Sequence, residues 1–148
     1  MAIKLHDSLT REARELHPSQ PDGVFRFYNC GPTVYAAAHI GNFRSFLFAD
    51  LLVRWLRASG HAVRWVVNLT DIDDKIIKRA LENGETIRGL TDRMIEALHQ
   101  DADALGIERP QHEPRATDFV PQMLSMIGTL EQKGLAYRAG NGDMNYSV

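Results

Sequence analysis

The fold is decided by residues 29–42, NCGPTVYAAAHIGN. They follow an apolar run of strand-like composition, residues 24–28, and precede a long amphipathic run that begins near Phe43. Open α/β sheets place their ligand sites in such loops, between a strand and the helix that follows it. Unpaired N–H groups at the start of that helix can bind an anion, and His39 can donate a hydrogen bond to the same anion. We therefore interpret this loop as a candidate phosphate or nucleotide site.

A structural explanation competes with this one. Strand–loop–helix turns marked by Gly and Pro are common, and a single loop histidine is more often solvent-facing than catalytic. Neither of the two most familiar glycine phosphate loops, G-x-G-x-x-G and G-x-x-x-x-G-K-[ST], occurs in the sequence. Nucleotide binding here would therefore follow a different plan.

The bulk properties favour one soluble domain. A chain of 148 residues, 44% hydrophobic and 24% charged, can bury one real core. It contains no apolar run of membrane-spanning length and no basic-then-apolar leader, so we expect no membrane association. One cysteine excludes an internal disulfide framework and favours the cytoplasm. The net charge of −2 disfavours a general nucleic-acid binder but leaves room for a local basic surface.

A helix flanked by two strands forms the centre of the predicted fold. Apolar residues at helical spacing predict a helix over residues 42–59, with Asn42 as its N-cap and Gly60 as its end. Residues 62–68 then form a strand, and a strand–helix–strand order predicts parallel pairing. Both loops that follow the strands open at the same edge. Cys30 and His39 are therefore expected to share a crevice with Asn68, Thr70 and Asp71.

That helix and three others account for most of the remaining apolar pattern. The residues expected on the apolar face of the first helix are Phe43, Phe46, Leu47, Leu51, Trp55 and Ala58. A helix over residues 71–83 would bury Ile72, Ile76, Ile77 and Ala80, and one over residues 91–105 would bury Met94, Ile95, Leu98, Ala102 and Leu105. Thr117 is predicted to cap a last helix that ends at Gly134, with its methionines filling the core.

The two ends of the chain have no helical pattern. Residues 1–23 are expected to be extended with a loop, and residues 140–142 are expected to turn a short hairpin. The acidic residues Asp71, Asp73 and Asp74 stand at the start of the second helix. They are better explained by helix capping than by a magnesium site.

At four places the sequence resembles the cysteinyl-tRNA synthetases, which are class I aminoacyl-tRNA synthetases. The matching segments are Cys30-Gly31-Pro32-Thr33-Val34-Tyr35, His39-Ile40-Gly41-Asn42, the run from Asn68 to Ala80, and Glu113-Pro114-Arg115-Ala116-Thr117. The resemblance covers nearly the whole chain but only about the first third of such an enzyme. It implies an α/β fold: residues 1–115 would form the first half of a Rossmann-like catalytic domain with a parallel sheet. Residues 116–148 would begin an inserted connective region, apparently truncated.

The resemblance also implies roles for individual residues. Cys30 matches a zinc ligand that grips the thiolate of the substrate cysteine, and soft sulfur ligation of zinc would distinguish cysteine from serine. The positions that match adenylate contacts are Gly31, Thr33, Ser45, Asn68 and Thr70. His39, Ile40, Gly41 and Asn42 stand where class I enzymes carry His-Ile-Gly-His, which holds the ATP phosphates. We take His39 and Asn42 as the catalytic candidates, although Asn42 departs from the second histidine and cannot supply a cation.

The implied reaction is the ATP-dependent activation of L-cysteine, with magnesium, and its transfer to tRNA-Cys by an enzyme that is monomeric. The other three zinc ligands, the second lysine-rich phosphate loop and the anticodon-binding region of the family have no counterpart in these residues. We therefore expect the chain to be inactive by itself. Two alternatives stay open: a cysteine ligase of mycothiol synthesis, which uses an amino-sugar acceptor, and a non-catalytic binding module.

Overall fold

The computed structural model describes residues 3–147, so the remaining residues of the predicted extended N-terminal piece, and Val148, lie outside it. The elements in chain order are β1 (Lys4–Asp7), β2 (Glu12–Glu15), β3 (Phe25–Asn29), α1 (Ile40–Ala58), β4 (Val63–Val67), α2 (Asp74–Asn83), α3 (Ile87–Ala104), a 3-10 turn (Ala116–Phe119), α4 (Val120–Gln132), β5 (Ala136–Arg138) and β6 (Met144–Tyr146). β1 and β2 form an antiparallel hairpin, and residues 16–23 contain no helix or strand, which confirms the prediction of an extended piece followed by a loop.

The predicted strand–helix–strand unit is confirmed. β3 and β4 pair in parallel from Phe25 opposite Val63 to Asn29 opposite Val67, and α1 connects them. On the other side of β4, residues 112–115 run parallel to it through isolated bridges. β4 therefore lies between β3 and this third segment, and both strand ends point to one edge.

The core lies where the parallel strands meet the helices. Its buried members include Val34, Phe43, Val53, Trp65, Val67, Leu69, Ile76, Leu90, Ile95 and Leu98. α1 is positioned differently from the prediction: Phe43 is buried, but Leu51 and Trp55 are 63% and 54% exposed. Ala49, Val53 and Leu56 are buried on α1 in their place. Because α1 is apolar over much of its circumference, helical spacing alone could not select the buried face.

Helix starts differ from the prediction more than helix ends do. α1 begins at Ile40, with His39 as its N-cap, so the prediction that Asn42 is the N-cap was wrong. α1 and α4 end just before Gly60 and Gly134, as predicted, and both glycines have positive φ angles. Asp73 caps α2, as its acidic start suggested, because its side chain accepts a hydrogen bond from the Lys75 amide.

Asp71 links two segments that are distant in sequence through hydrogen bonds to Thr117. Neither residue caps a helix, contrary to the prediction for Thr117. The Asp71 carboxylate, 2% exposed, accepts hydrogen bonds from the Thr117 amide at 2.9 Å and the Thr117 hydroxyl at 2.6 Å. α4 instead follows the 3-10 turn, with Phe119 at its N-cap position. The segment after residue 111 is thereby held against the loop that follows β4.

The C-terminal part is largely exposed. α4 has no buried residue, and its Met123 and Met126 are 41% and 59% exposed, so the prediction that they fill the core was wrong. Other residues predicted to be inward but found exposed are Ile72, Ile77 and Leu105. β5 and β6 form the predicted hairpin. Among the helices of residues 3–147, none combines the length and the apolar character needed to cross a membrane.

A close backbone contact sets the distance between the ends of β3 and β4. A Cβ atom added at Gly31 would lie 1.7 Å from the main-chain oxygen of Asn68 and 2.9 Å from its carbonyl carbon. Only a residue without a side chain allows this approach.

We predict that Gly31→Ala lowers the free energy of unfolding by about 3 kcal/mol, because the two strand ends have to separate. Urea denaturation followed by circular dichroism measures this change. Gly128→Ala is the matched control: its Cβ would meet nothing within 4 Å in α4, so it should stabilise by about 0.5–1 kcal/mol. Equal stability of the two variants would contradict the contact.

We also predict that Asp71→Ala lowers the free energy of unfolding by about 2–3 kcal/mol, because it leaves the part-buried Thr117 donors unpaired. Asp74→Ala, in the exposed first turn of α2, should cost no more than about 0.5 kcal/mol. The same denaturation experiment compares them. A similar loss of stability in the two variants would mean that the hydrogen bonds between Asp71 and Thr117 do not stabilise the fold.

Candidate active site

The side chain of Asn68 joins the two strand ends. Its Oδ1 atom accepts hydrogen bonds from the Gly31 amide at 3.0 Å and from the Tyr28 hydroxyl at 2.8 Å. Its Nδ2 atom donates to the hydroxyl oxygen of Thr70 at 3.1 Å. One carboxamide therefore connects β3, the loop after β3 and the loop after β4.

The main chain of the two loops is paired as well. Thr33 and Thr70 form a parallel bridge: the Thr70 amide donates to Pro32 at 3.1 Å, and the Thr70 carbonyl accepts from Val34 at 3.1 Å. The structure thus brings together four of the predicted site residues, Gly31, Thr33, Asn68 and Thr70. Their positions are fixed mostly by backbone bonds, which favours a preformed site.

Cys30 lies beside this cluster and is exposed. Its sulfur is 3.4 Å from the carbonyl oxygen of Gly31, and the carbonyl of Cys30 accepts from the side chain of Asn29 at 3.4 Å. Over residues 3–147 no group of three His, Cys, Asp or Glu side chains could hold a metal ion. Because structural zinc takes four protein ligands, and catalytic zinc three with water or substrate, the described residues do not form a zinc site by themselves.

The start of α1 carries a reciprocal cap. The Nδ1 atom of His39 accepts a hydrogen bond from the Gly41 amide at 3.0 Å, and the Asn42 side chain accepts one from the His39 amide at 3.0 Å. The amides of Asn42 and Phe43 both donate to the carbonyl oxygen of His39. Three N–H groups expected to meet an anion are therefore already paired within the helix.

The cap determines which groups remain available for a ligand. A ring nitrogen that accepts a hydrogen bond carries no proton, so the imidazole of His39 is neutral with its proton on Nε2. Asn42 uses its carbonyl oxygen in the cap, which leaves its Nδ2 as a donor. An anion at this helix would therefore meet two neutral side-chain donors.

Ser45 lies one turn beyond Gly41 on α1 and is exposed. It lines an open surface depression with Arg44 and Phe48. Within the part of the chain that the structure describes, no hydrogen bond joins Ser45 or His39 to Thr70. The predicted site residues therefore form two groups, one at the strand ends and one on α1.

Sequence reasoning missed several residues at the site. Tyr28 reads only as a strand residue, although its hydroxyl binds Asn68. The Lys75 ammonium lies 5.7 Å from the centre of the Tyr35 ring, in cation–π distance. Thr117 is 46 residues from its partner Asp71, so no local pattern could have linked them.

A main-chain hydrogen bond and an ion pair hold the segment at residues 112–117 beside the site. The Leu69 amide donates to the carbonyl of Pro114 at 2.9 Å. Arg115 binds the Asp92 carboxylate of α3 at 2.5 Å, and this hydrogen bond lowers the pKa of Asp92 below its usual value. The loop after β4 is thus supported from the side opposite β3.

Comparison with known proteins gives these features a family. Residues 16–148 match the family model described as the tRNA synthetases class I (C) catalytic domain. The chain is 67% identical over 148 residues to a cysteine–tRNA ligase of Variovorax paradoxus (strain S110), and 66% identical to one of Acidovorax sp. (strain JS42). Each match covers 100% of this chain and 32% of the relative, so the chain spans about a third of the length of these relatives.

Solved structures show the same fold at lower identity. A LeuRS of Agrobacterium radiobacter K84, in a ternary complex with tRNA and LeuAMS, has a TM-score of 0.70 at 22% identity over 82% of this chain and 16% of its own. Methionyl-tRNA synthetase of Mycobacterium tuberculosis, in complex with methionyl-adenylate, has a TM-score of 0.67 at 20% identity over 76% of this chain and 23% of its own. The expected Rossmann-like α/β fold is thus confirmed, and the chain belongs to the family of class I (C) tRNA synthetase catalytic domains.

Proposed function

We propose that this chain provides the first part of a cysteine–tRNA ligase. The observation that carries the proposal is identity of 67% and 66%, over all 148 residues, to relatives named cysteine–tRNA ligase. In this reaction a carboxylate oxygen of L-cysteine attacks the α-phosphorus of ATP, and the bond to pyrophosphate breaks. A ribose hydroxyl at the 3′ end of tRNA-Cys then attacks the cysteinyl carbonyl, and AMP leaves.

His39 and Asn42 are proposed to bind the ATP phosphates. Their unused donors, Nε2–H of the imidazole and Nδ2–H of the amide, can bind phosphate oxygens while the cap stays intact. Neutral donors held in place by the cap stabilise charge that develops at the α-phosphate without reorganising. Gly41 is assigned to the ATP site with them, and Ser45, one turn further along α1, is assigned to the cysteinyl-adenylate.

The strand-end cluster is proposed to bind the cysteinyl-adenylate. Gly31 allows the two loops to approach, because a side chain there would overlap Asn68. Thr33 and Thr70 are held side by side by their bridge. Magnesium would enter with ATP as part of the substrate.

Cys30 is proposed as one zinc ligand, because its sulfur is exposed next to this cluster. Zinc would supply preference for a thiolate over a hydroxyl, and the other ligands would have to come from residues outside this chain. The described residues do not form the complete metal site by themselves.

The remaining assignments follow from the same proposal. We divide the chain into residues 1–115, a catalytic half-domain, and 116–148, the start of a connective insertion; the 3-10 turn begins at Ala116, and α4 buries none of its residues. We place the protein in the cytoplasm, where its proposed partners L-cysteine, ATP and tRNA-Cys occur, and we propose a monomer. The names of the relatives favour a tRNA acceptor over an amino sugar.

We predict that the chain binds 5′-O-[N-(L-cysteinyl)sulfamoyl]adenosine, a stable analogue of the adenylate, in isothermal titration calorimetry. His39→Ala should weaken this binding about tenfold, because it removes one donor to the charged group and one side of the cap. His17→Ala, an exposed histidine before β3, is the matched control and should change nothing. Absence of binding by the unmodified chain would contradict the proposed adenylate site.

A second prediction concerns catalysis. The chain alone should give no cysteine-dependent exchange between ATP and radiolabelled pyrophosphate above a reaction without cysteine, because about two-thirds of the relatives' length has no counterpart in it. Measurable exchange would show that all the activating groups lie within these residues. It would also reject the alternative of a non-catalytic binding module.

A further inference from the structure

We propose that Tyr28 and Asn68 are positioning residues that make the Thr70 hydroxyl a hydrogen-bond donor toward an acceptor oxygen of the bound adenylate. This inference rests on the proposed function, which assigns Thr70 to the adenylate site. It adds what Thr70 contributes chemically and which residues impose that role.

The hydrogen-bond partners of the Asn68 carboxamide fix its orientation. The Gly31 amide can only donate, and it faces the Asn68 side chain at 3.0 Å. The atom that faces it therefore has to be the carbonyl oxygen. Tyr28 adds a second donor to the same oxygen at 2.8 Å, so both contacts favour one orientation of the amide.

The orientation of Asn68 determines the hydrogen-bonding role of the Thr70 hydroxyl. With its oxygen toward Gly31, Asn68 presents its NH₂ group to the Thr70 hydroxyl oxygen at 3.1 Å. An NH₂ group can only donate, so the Thr70 oxygen accepts and its own proton has to point elsewhere. Within residues 3–147 the Thr70 hydroxyl donates no hydrogen bond, so its proton is free for a ligand.

The main chain of Thr70 is held in place on both sides. Its amide and carbonyl are both used in the bridge to residues 32–34. The hydroxyl is therefore an oriented donor, and its ligand group is an acceptor oxygen rather than an ammonium. Both the cysteinyl carbonyl and the α-phosphate supply such an oxygen.

The test is a double-mutant cycle with the sulfamoyl adenosine analogue as the probe. Tyr28→Phe removes only the hydroxyl, and Thr70→Val removes the proposed donor with little change in shape. Each single variant should weaken binding about fivefold. Tyr28→Phe should have no further effect when Thr70 is already valine, because the hydroxyl that it orients is absent. Additive losses, or unchanged binding of Tyr28→Phe, would overturn the proposal.

Controls separate positioning from general damage. Thr70→Ser keeps a hydroxyl and should restore binding relative to Thr70→Val. Tyr137→Phe removes an exposed tyrosine hydroxyl from β5 and should leave binding unchanged. Altered ligands identify the group that Thr70 contacts. With the des-amino analogue, the loss of affinity caused by Tyr28→Phe should persist. If that loss disappears, Thr70 accepts a hydrogen bond from the ammonium, which overturns the proposal. With cysteinol adenylate, a lost penalty assigns the carbonyl oxygen and a retained penalty the phosphate.

A second measurement keeps the inference independent of ligand binding. If the unmodified chain does not bind the analogue, the proposed function of the chain alone fails, and the positioning of Thr70 by Tyr28 and Asn68 is tested by NMR. Tyr28→Phe should shift the side-chain NH₂ resonances of Asn68 and the methyl resonance of Thr70, whereas Tyr137→Phe should shift neither. Unchanged Asn68 and Thr70 resonances in Tyr28→Phe would overturn the proposal that these residues position Thr70.

Discussion

The structure depends on a backbone-to-backbone approach between Gly31 and Asn68. No side chain separates the two loops at this point, because a single methyl group at residue 31 would overlap the Asn68 carbonyl. This short distance lets the Asn68 carboxamide reach the Gly31 amide and the Thr70 hydroxyl together. The arrangement of the strand-end cluster is therefore a consequence of how closely β3 and β4 end, and not of the length of any flexible side chain.

The loop after β4 is held from two sides, which makes it rigid before any ligand arrives. Asn68 binds toward β3, whereas the buried carboxylate of Asp71 binds the amide and hydroxyl of Thr117 on the other side. Thr70 lies between these two attachments. A group fixed in this way loses little conformational freedom on binding, so more of each contact's free energy remains as affinity.

The parallel unit and the C-terminal end of its helix could be predicted from local patterns, because alternation, helical spacing and Gly60 act over a few residues. The buried face of α1 could not, since apolar residues on both sides satisfy the same spacing. His39 was missed as the N-cap because Asn42 belongs to the residue types that favour that position. The hydrogen bonds between Asp71 and Thr117 join residues 46 positions apart, so no local sequence pattern predicts them. The assignments to zinc and adenylate came from the resemblance and not from the residues' spacing.

The internal hydrogen bonds of the loop between β3 and α1 limit which groups it can offer a ligand. Sequence reasoning expects backbone N–H groups to meet the anion, but the cap uses those of Gly41, Asn42 and Phe43. What remains in this loop is one uncharged side-chain donor on each of His39 and Asn42, and the other polar atom of each side chain is already bonded in the cap. Such donors keep a fixed direction and cost little to leave solvated when the site is empty. In the proposed reaction, charge that develops on a phosphate would then be stabilised by oriented dipoles, without a cation that must be desolvated first.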